Sequence, residues 1–236
     1  MANRLSRKGL DTSALAAWLL VAGLVAWQLY VTGADATADG ATLIRYGARK
    51  PNFHFPQAPW RLLASMFLHG GWVHLGANCI VIWLWGGRLC RLSGQSAFLA
   101  VFFLSGLWGS LMSDIYGPEA LAVGASGGVA GLVLYILALA ALAPGKPAWH
   151  GEAKSWLFSS AAAVALNVVM AMGLSGVAGG RLDHWAHIGG AAAGFLLGVF
   201  ASRGGTDRSK LLWVGCALLA AAAGLVILVR GSTPFG

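Results

Sequence analysis

Leu121-Ala122-Val123-Gly124-Ala125-Ser126-Gly127-Gly128-Val129-Ala130-Gly131 opens an apolar run that reaches Ala143 without one charged side chain. Crossing a bilayer takes a helix of ~20 apolar residues, so this run reads as a membrane span with a serine hydroxyl near its head. Outward from it, six more apolar stretches cover about 12–32, 72–87, 96–113, 156–174, 185–202 and 211–229, and none contains Asp, Glu, Lys or Arg. Seven spans joined mostly by short connections describe an all-α, polytopic transmembrane helix bundle.

Composition agrees. The 236 residues are 58% hydrophobic and only 10% charged, against the ~25% charged that is usual in a soluble domain. A net charge of +8 would point to nucleic acid in a soluble protein. Here the cations lie between the apolar runs, where they set topology, and nucleic acid is not an expected partner. Cys79, Cys90 and Cys216 lie in or beside apolar segments without CxxC pairing. They are read as packing residues rather than a disulfide framework or a zinc site.

The stretch 12–32 follows Arg4, Arg7 and Lys8 and is too long for the usual 7–15-residue signal core, so it is read as a retained helix. With the amino terminus in the cytoplasm, ten Lys and Arg fall on the inner side and six on the outer. The positive-inside rule favours this orientation. The reading divides the chain into a cytoplasmic segment 1–11, a membrane core 12–202 that includes an outer loop 33–70, a linker 203–210 and an additional helix 211–229. The outer loop holds Pro51, Pro56, Pro59, Phe53, Phe55 and Trp60, a composition that suits a structured element at the interface.

In this topology His69, His74 and Asn78, then Ser126, then His187 all fall in one layer toward the outer face. Ionisable groups within a membrane are expensive and mark function by default. Gly124, Gly127, Gly128 and Gly131 line the serine span, while Gly190, Gly194 and Gly198 recur at four-residue spacing in the histidine span. Small residues so spaced let helix backbones approach closely in lipid. Packing through those ridges would bring Ser126 and His187 to the ~2.6–3.2 Å that proton transfer requires. The Ser126 N–H, at a helix start, lacks an intrahelical partner. It would form one element of an oxyanion hole, and His74 and Asn78, four apart on one helix face, would supply side-chain donors.

Trp60-Arg61, His69-Gly70-Gly71-Trp72-Val73-His74-Leu75-Gly76-Ala77-Asn78, Gly124-Ala125-Ser126-Gly127 and Ala186-His187-Ile188-Gly189-Gly190, in that order, resemble the rhomboid family of intramembrane serine proteases. The match runs from about Trp60 to Gly198. The resemblance implies a rhomboid-like six-helix core, with 211–229 as a seventh helix in a six-plus-one arrangement. It makes Ser126 the nucleophile, His187 the general base, and His74 and Asn78 the oxyanion-stabilising pair. Gly124 then belongs to the Gly-x-Ser-Gly motif and Trp60-Arg61 to a membrane-inserted first loop, while His69 takes a structural rather than a chemical place.

Some rhomboids place a tyrosine four residues after the serine, under the histidine ring; this chain has Ala130 there. Asp183, one turn before His187, invites a triad, but the family's Ser-His dyad favours reading it as a loop carboxylate in water. His184 and His187 are spaced like metal ligands, yet the glutamate of an HExxH site is missing, so neither metal nor cofactor is expected. Asn167 is read as an interhelical hydrogen-bonding residue. The segment 176–180 is read as a flexible cap over the site.

The expected partners are membrane lipid and transmembrane protein substrates, entering laterally beside the fifth helix and cut at locally unwound segments. The expected setting is the inner (plasma) membrane of a bacterium, with the site toward the outer face. Two competing readings are a rhomboid-like scaffold that binds membrane proteins without cutting them, and a transporter. Retention of both Ser126 and His187 disfavours the first. A transporter needs ionisable groups or broken helices near the midplane, which disfavours the second.

Overall fold

A computed structural model of the chain describes residues 12–33, 39–50, 58–117, 120–142, 183–203 and 208–232, together with 155 and 158–159. Among these residues the architecture is helical, with one isolated antiparallel bridge between Arg49 and Ala122. The expected span 156–174, the cap 176–180, Asn167 and the segment 1–11 lie outside the described residues, apart from 158–159.

Helix α1 (Leu15–Thr32) follows a single 3-10 turn at Thr12–Ala14. The outer loop then forms a short helix α2 (Gly40–Arg45), whose first turn is capped by Asp39 accepting from the Thr42 N–H at 2.7 Å. That bond holds the Asp39 carboxyl below the usual carboxylate range. Helix α3 (Arg61–Ala64) runs through a 3-10 turn, Ser65–Phe67, and meets the next helix at a bend of 94°. This next helix, α4 (Trp72–Ser93), continues past the expected end at Gly87 and contains a π-helical segment, Ile82–Gly86.

Four more helices complete the described bundle: α5 (Gln95–Tyr116), α6 (Ser126–Leu142), α7 (His184–Arg203) and α8 (Arg208–Ser232). The last begins at Arg208 rather than Leu211. The run 121–143 is helical only from Ser126, because the backbone N–H groups of Ala122, Gly124 and Ala125 bond to other segments. Ala122 exchanges bonds with Arg49, and the Gly124 N–H donates to the Ser65 carbonyl at 2.9 Å.

The centre of the bundle is the trio α5, α6 and α7, with α8 against α7 and α5, and α1 against α4 and α5. Glycine decides how closely the trio packs. A methyl group on Gly190 would lie 2.7 Å from the Gly127 carbonyl carbon, and one on Gly194 would lie 2.6 Å from that of Gly131. Neither contact is tolerable, so α6 and α7 touch backbone to backbone, as small residues permit in lipid. On the exterior, Leu19, Trp83, Leu84, Leu196, Leu218 and Leu225 are exposed, the surface expected of a body solvated by hydrocarbon.

Polar ties mark the two ends. At one end the Ala16 N–H donates to Gln95 Oε1 (2.8 Å) and the Tyr135 hydroxyl bonds Ser93 Oγ (3.2 Å). At the other, Gln28 Nε2 donates to the His69 carbonyl (3.2 Å), and Arg49 pairs with Asp114 and Asp183.

Candidate active site

Ser126 is the first residue of α6, half-buried, and its N–H has no carbonyl within its own helix to bond. Its placement depends on the extended segment before it. Gly124 adopts φ +126°, a conformation open to glycine and rarely to other residues. A methyl there would lie 2.8 Å from His74 Cε1, 3.0 Å from His74 Nε2 and 3.9 Å from Asn78 Nδ2. The imidazole and the amide from one face of α4 therefore converge on the turn that leads into Ser126.

Asn78 is fully buried; its Nδ2 donates to the His74 carbonyl at 3.2 Å, which leaves its second N–H available. The His69 ring stands edge-on to His74 with centroids 5.1 Å apart. Its Nε2 accepts from the Ala125 N–H at 3.5 Å. His69 thus braces the residue before Ser126.

His187 lies in the first turn of α7, half-buried. The residue before it, Ala186, has its carbonyl against Gly109 of α5 and, at 3.2 Å from a methyl placed there, against Gly127 of α6. Residues 126 and 187, each one step from this contact, occupy the same end of the same helix interface. His74 and His187 are within electrostatic reach of each other.

Asp183 departs from its expected place in water. One carboxylate oxygen accepts from the Ala186 N–H at 3.0 Å and so caps α7; the other takes the Ser113 hydroxyl and faces Arg49 NH2 at 3.8 Å. It is neither a solvated loop carboxylate nor bonded to the His187 ring among these contacts. It satisfies one orphan N–H of the helix start, the ordinary work of an Asp N-cap. Burial lowers the Arg49 proton affinity, and Asp183 and Asp114 draw it back up. A guanidinium stays charged through such opposition.

Arg61 anchors the loop at the end of α2. Its NH1 donates to the carbonyls of Ile44 (2.6 Å) and Ala48 (2.9 Å), and the guanidinium lies 4.7 Å from the centre of the Trp60 ring. Ala130 follows on the helix that Ser126 begins and is partly buried. The supporting residues Arg49, Ser65 and Asp114 were not singled out from the sequence. Their only signal was polarity bordering an apolar run.

Such a molecule is a polytopic helical membrane protein whose serine, imidazole and amide groups gather at one end of the bundle. The model of the Rhomboid domain matches residues 56–204. RHOMBOID-like protein 2 of Arabidopsis thaliana is 33% identical over 187 residues, covering 74% of this chain and 55% of that protein. Rhomboid protease GluP of Bacillus subtilis is 28% identical over 172 residues, covering 73% of this chain and 31% of its own length. Rhomboid-type serine protease 2 of Emericella nidulans is 30% identical over 150 residues, covering 63% and 28% respectively. The chain spans about half the length, or less, of these relatives. It is an integral membrane protein and belongs to the rhomboid family.

Proposed function

We propose that this protein is an intramembrane serine endopeptidase that hydrolyses peptide bonds in or near transmembrane segments of membrane proteins. The observation that carries this reading is the convergence of His74 and Asn78 on the Gly124 turn, with the α6 start pressed against Ala186. Neutral His187 takes the Ser126 proton as Ser126 Oγ attacks the scissile carbonyl carbon. The carbonyl π electrons move onto oxygen, and the oxyanion is held by the Ser126 N–H, Asn78 Nδ2 and His74. On collapse of the tetrahedral intermediate the C–N bond breaks and the imidazolium protonates the leaving amine. Water, deprotonated by the same imidazole, then attacks the acyl-enzyme and frees Ser126.

Ala130 offers no aromatic face for the His187 ring to stack on. The amino terminus lies in the cytoplasm and the site toward the outer face, where water is at hand for deacylation. Named proteases among the relatives, Rhomboid protease GluP and Rhomboid-type serine protease 2, support the reaction class.

The test is reconstitution in liposomes with a single-span substrate containing a glycine-rich unwound segment. Wild type cleaves it, whereas Ser126→Ala and His187→Ala lose at least about a thousandfold in kcat, as removal of either member of a nucleophile–base pair does. Undiminished cleavage by either variant removes the dyad. Absence of cleavage by folded wild type, with retained substrate binding, replaces the enzyme by the non-cutting scaffold.

A further inference from the structure

Arg49 is almost wholly buried, with 4% of its side chain exposed, yet it lies in a loop rather than in a helix. Its contacts run in two directions. Through its main chain it exchanges both hydrogen bonds with Ala122, at 2.7 and 3.2 Å, and so pins the extended segment that leads into Ser126. Through its guanidinium it reaches Asp114 Oδ1 at the end of α5 (3.4 Å) and Asp183 Oδ2 at the start of α7 (3.8 Å). Its Nε donates to Ser65 Oγ at 3.3 Å, and the Ser65 carbonyl in turn accepts the Gly124 N–H.

We propose that Arg49 is a positioning residue for the dyad, fixing the helix that carries His187, through Asp183, relative to the segment that carries Ser126. The proposal rests on the dyad reading above. The physical case is one of geometry and charge. Asp183 has two oxygens with two tasks: one caps α7 at the Ala186 N–H, directly before His187, and the other is held by Ser113 and Arg49. A capping carboxylate that is itself clamped cannot swing, so the first turn of α7 is fixed in rotation as well as in length.

Arg suits this place and Lys does not, because the planar guanidinium addresses two carboxylates and a hydroxyl at once, whereas an ammonium is a single point charge. Without the cation, Asp114 and Asp183 face each other across a buried gap as like charges, and the α7 start moves away from α5. The serine side of the site remains braced by His69 and Ser65, so the expected loss is one of alignment. The expected change therefore falls on kcat rather than on KM.

The experiment compares wild type with Arg49→Met, Arg49→Lys, Asp183→Asn and the exposed loop control Arg45→Met, all in the liposome assay and all checked for folding by thermal unfolding. Expected for Arg49→Met is a fall in kcat of roughly ten- to a hundredfold, the scale of a small misplacement, with KM within about twofold. Arg49→Lys recovers part of the loss. Asp183→Asn, which keeps a capping oxygen but not the ion pair, falls with Arg49→Met.

Hydrogen exchange supplies a readout independent of activity. In Arg49→Met the amides at 185–188 exchange faster, while those at 197–201 are unchanged. Should Arg49→Met fail to fold, Arg49→Lys and Asp183→Asn carry the same comparison. Unchanged kcat in a folded Arg49→Met or Asp183→Asn, or a uniform rise in exchange along α7, overturns the proposal. Failure of the dyad itself shows separately, as full activity in Ser126→Ala or His187→Ala.

Discussion

Gly124 carries more consequence than its size suggests. Its φ of +126° is a conformation that a Cβ resists, and the same Cβ would enter the space of the His74 ring, 2.8 Å from Cε1. Gly124→Ala must therefore either flip the turn or displace His74, and each outcome disturbs how the His74 ring sits against the turn that leads into Ser126. Destabilisation by more than about 1 kcal/mol is expected where alanine is forced into such a φ. Activity should fall by about a hundredfold, the cost of an ångström's misplacement near reacting atoms. Thermal unfolding together with cleavage kinetics checks both. Normal kinetics in Gly124→Ala would mean that His74 and Asn78 do not serve the turn.

At the scale of elements, the α6–α7 contact holds the bundle because nothing larger than hydrogen stands between the two backbones. Gly194→Val places a side chain against the Gly131 carbonyl, 2.6 Å from its carbon even at Cβ. Overpacking of this kind typically costs 1–3 kcal/mol, and here it also parts the two helices that carry Ser126 and His187. Gly23→Ala on α1 and Gly224→Ala on α8, where a methyl meets nothing within 4 Å, should be neutral or slightly stabilising. A detergent unfolding titration of the three variants separates the cases, and equal midpoints would show that the glycine seam does not hold the bundle.

The helices themselves were legible in the sequence because their signal is composition, which lipid imposes on every turn. Boundaries set by tertiary hydrogen bonds were not legible. Residues 121–125 are as apolar as the helix they precede, and partners distant in sequence, Arg49, Ser65 and His69, hold them out of it. The Gly-x-Ser-Gly and Ala-His motifs were readable because they are local. The place of Asp183 was not, since a lone carboxylate before a helix looks the same whether it faces water or a buried guanidinium.

For the whole molecule, the disposition of charge and of polar ties concerns orientation. Thr12, Ala16, Ser93 and Gln95 gather at one end, and Gln28, His69, Arg49, Asp114 and Asp183 at the other, so α1 and α5 run toward the site end while α4, α6 and α7 run away from it. The end near Ser93 carries Arg88, Arg91, Arg203 and Arg208 on the adjoining helix termini, cations that the positive-inside reading assigns to the cytoplasm. On the orientation proposed above, the site end faces outward.

Cysteine labelling decides the point. Cys79 is half-buried and Cys90 and Cys216 are buried, so all three are replaced by alanine to give a silent background. Into it go Ala41→Cys on the exposed face of α2 and, separately, Ser96→Cys at the exposed start of α5. A membrane-impermeant maleimide should label the first in intact cells and the second only after permeabilisation. The reverse pattern would invert the topology and place Ser126 and His187 at the cytoplasmic face. Water would still reach it there, but the scissile bonds would have to lie at the opposite ends of substrate spans.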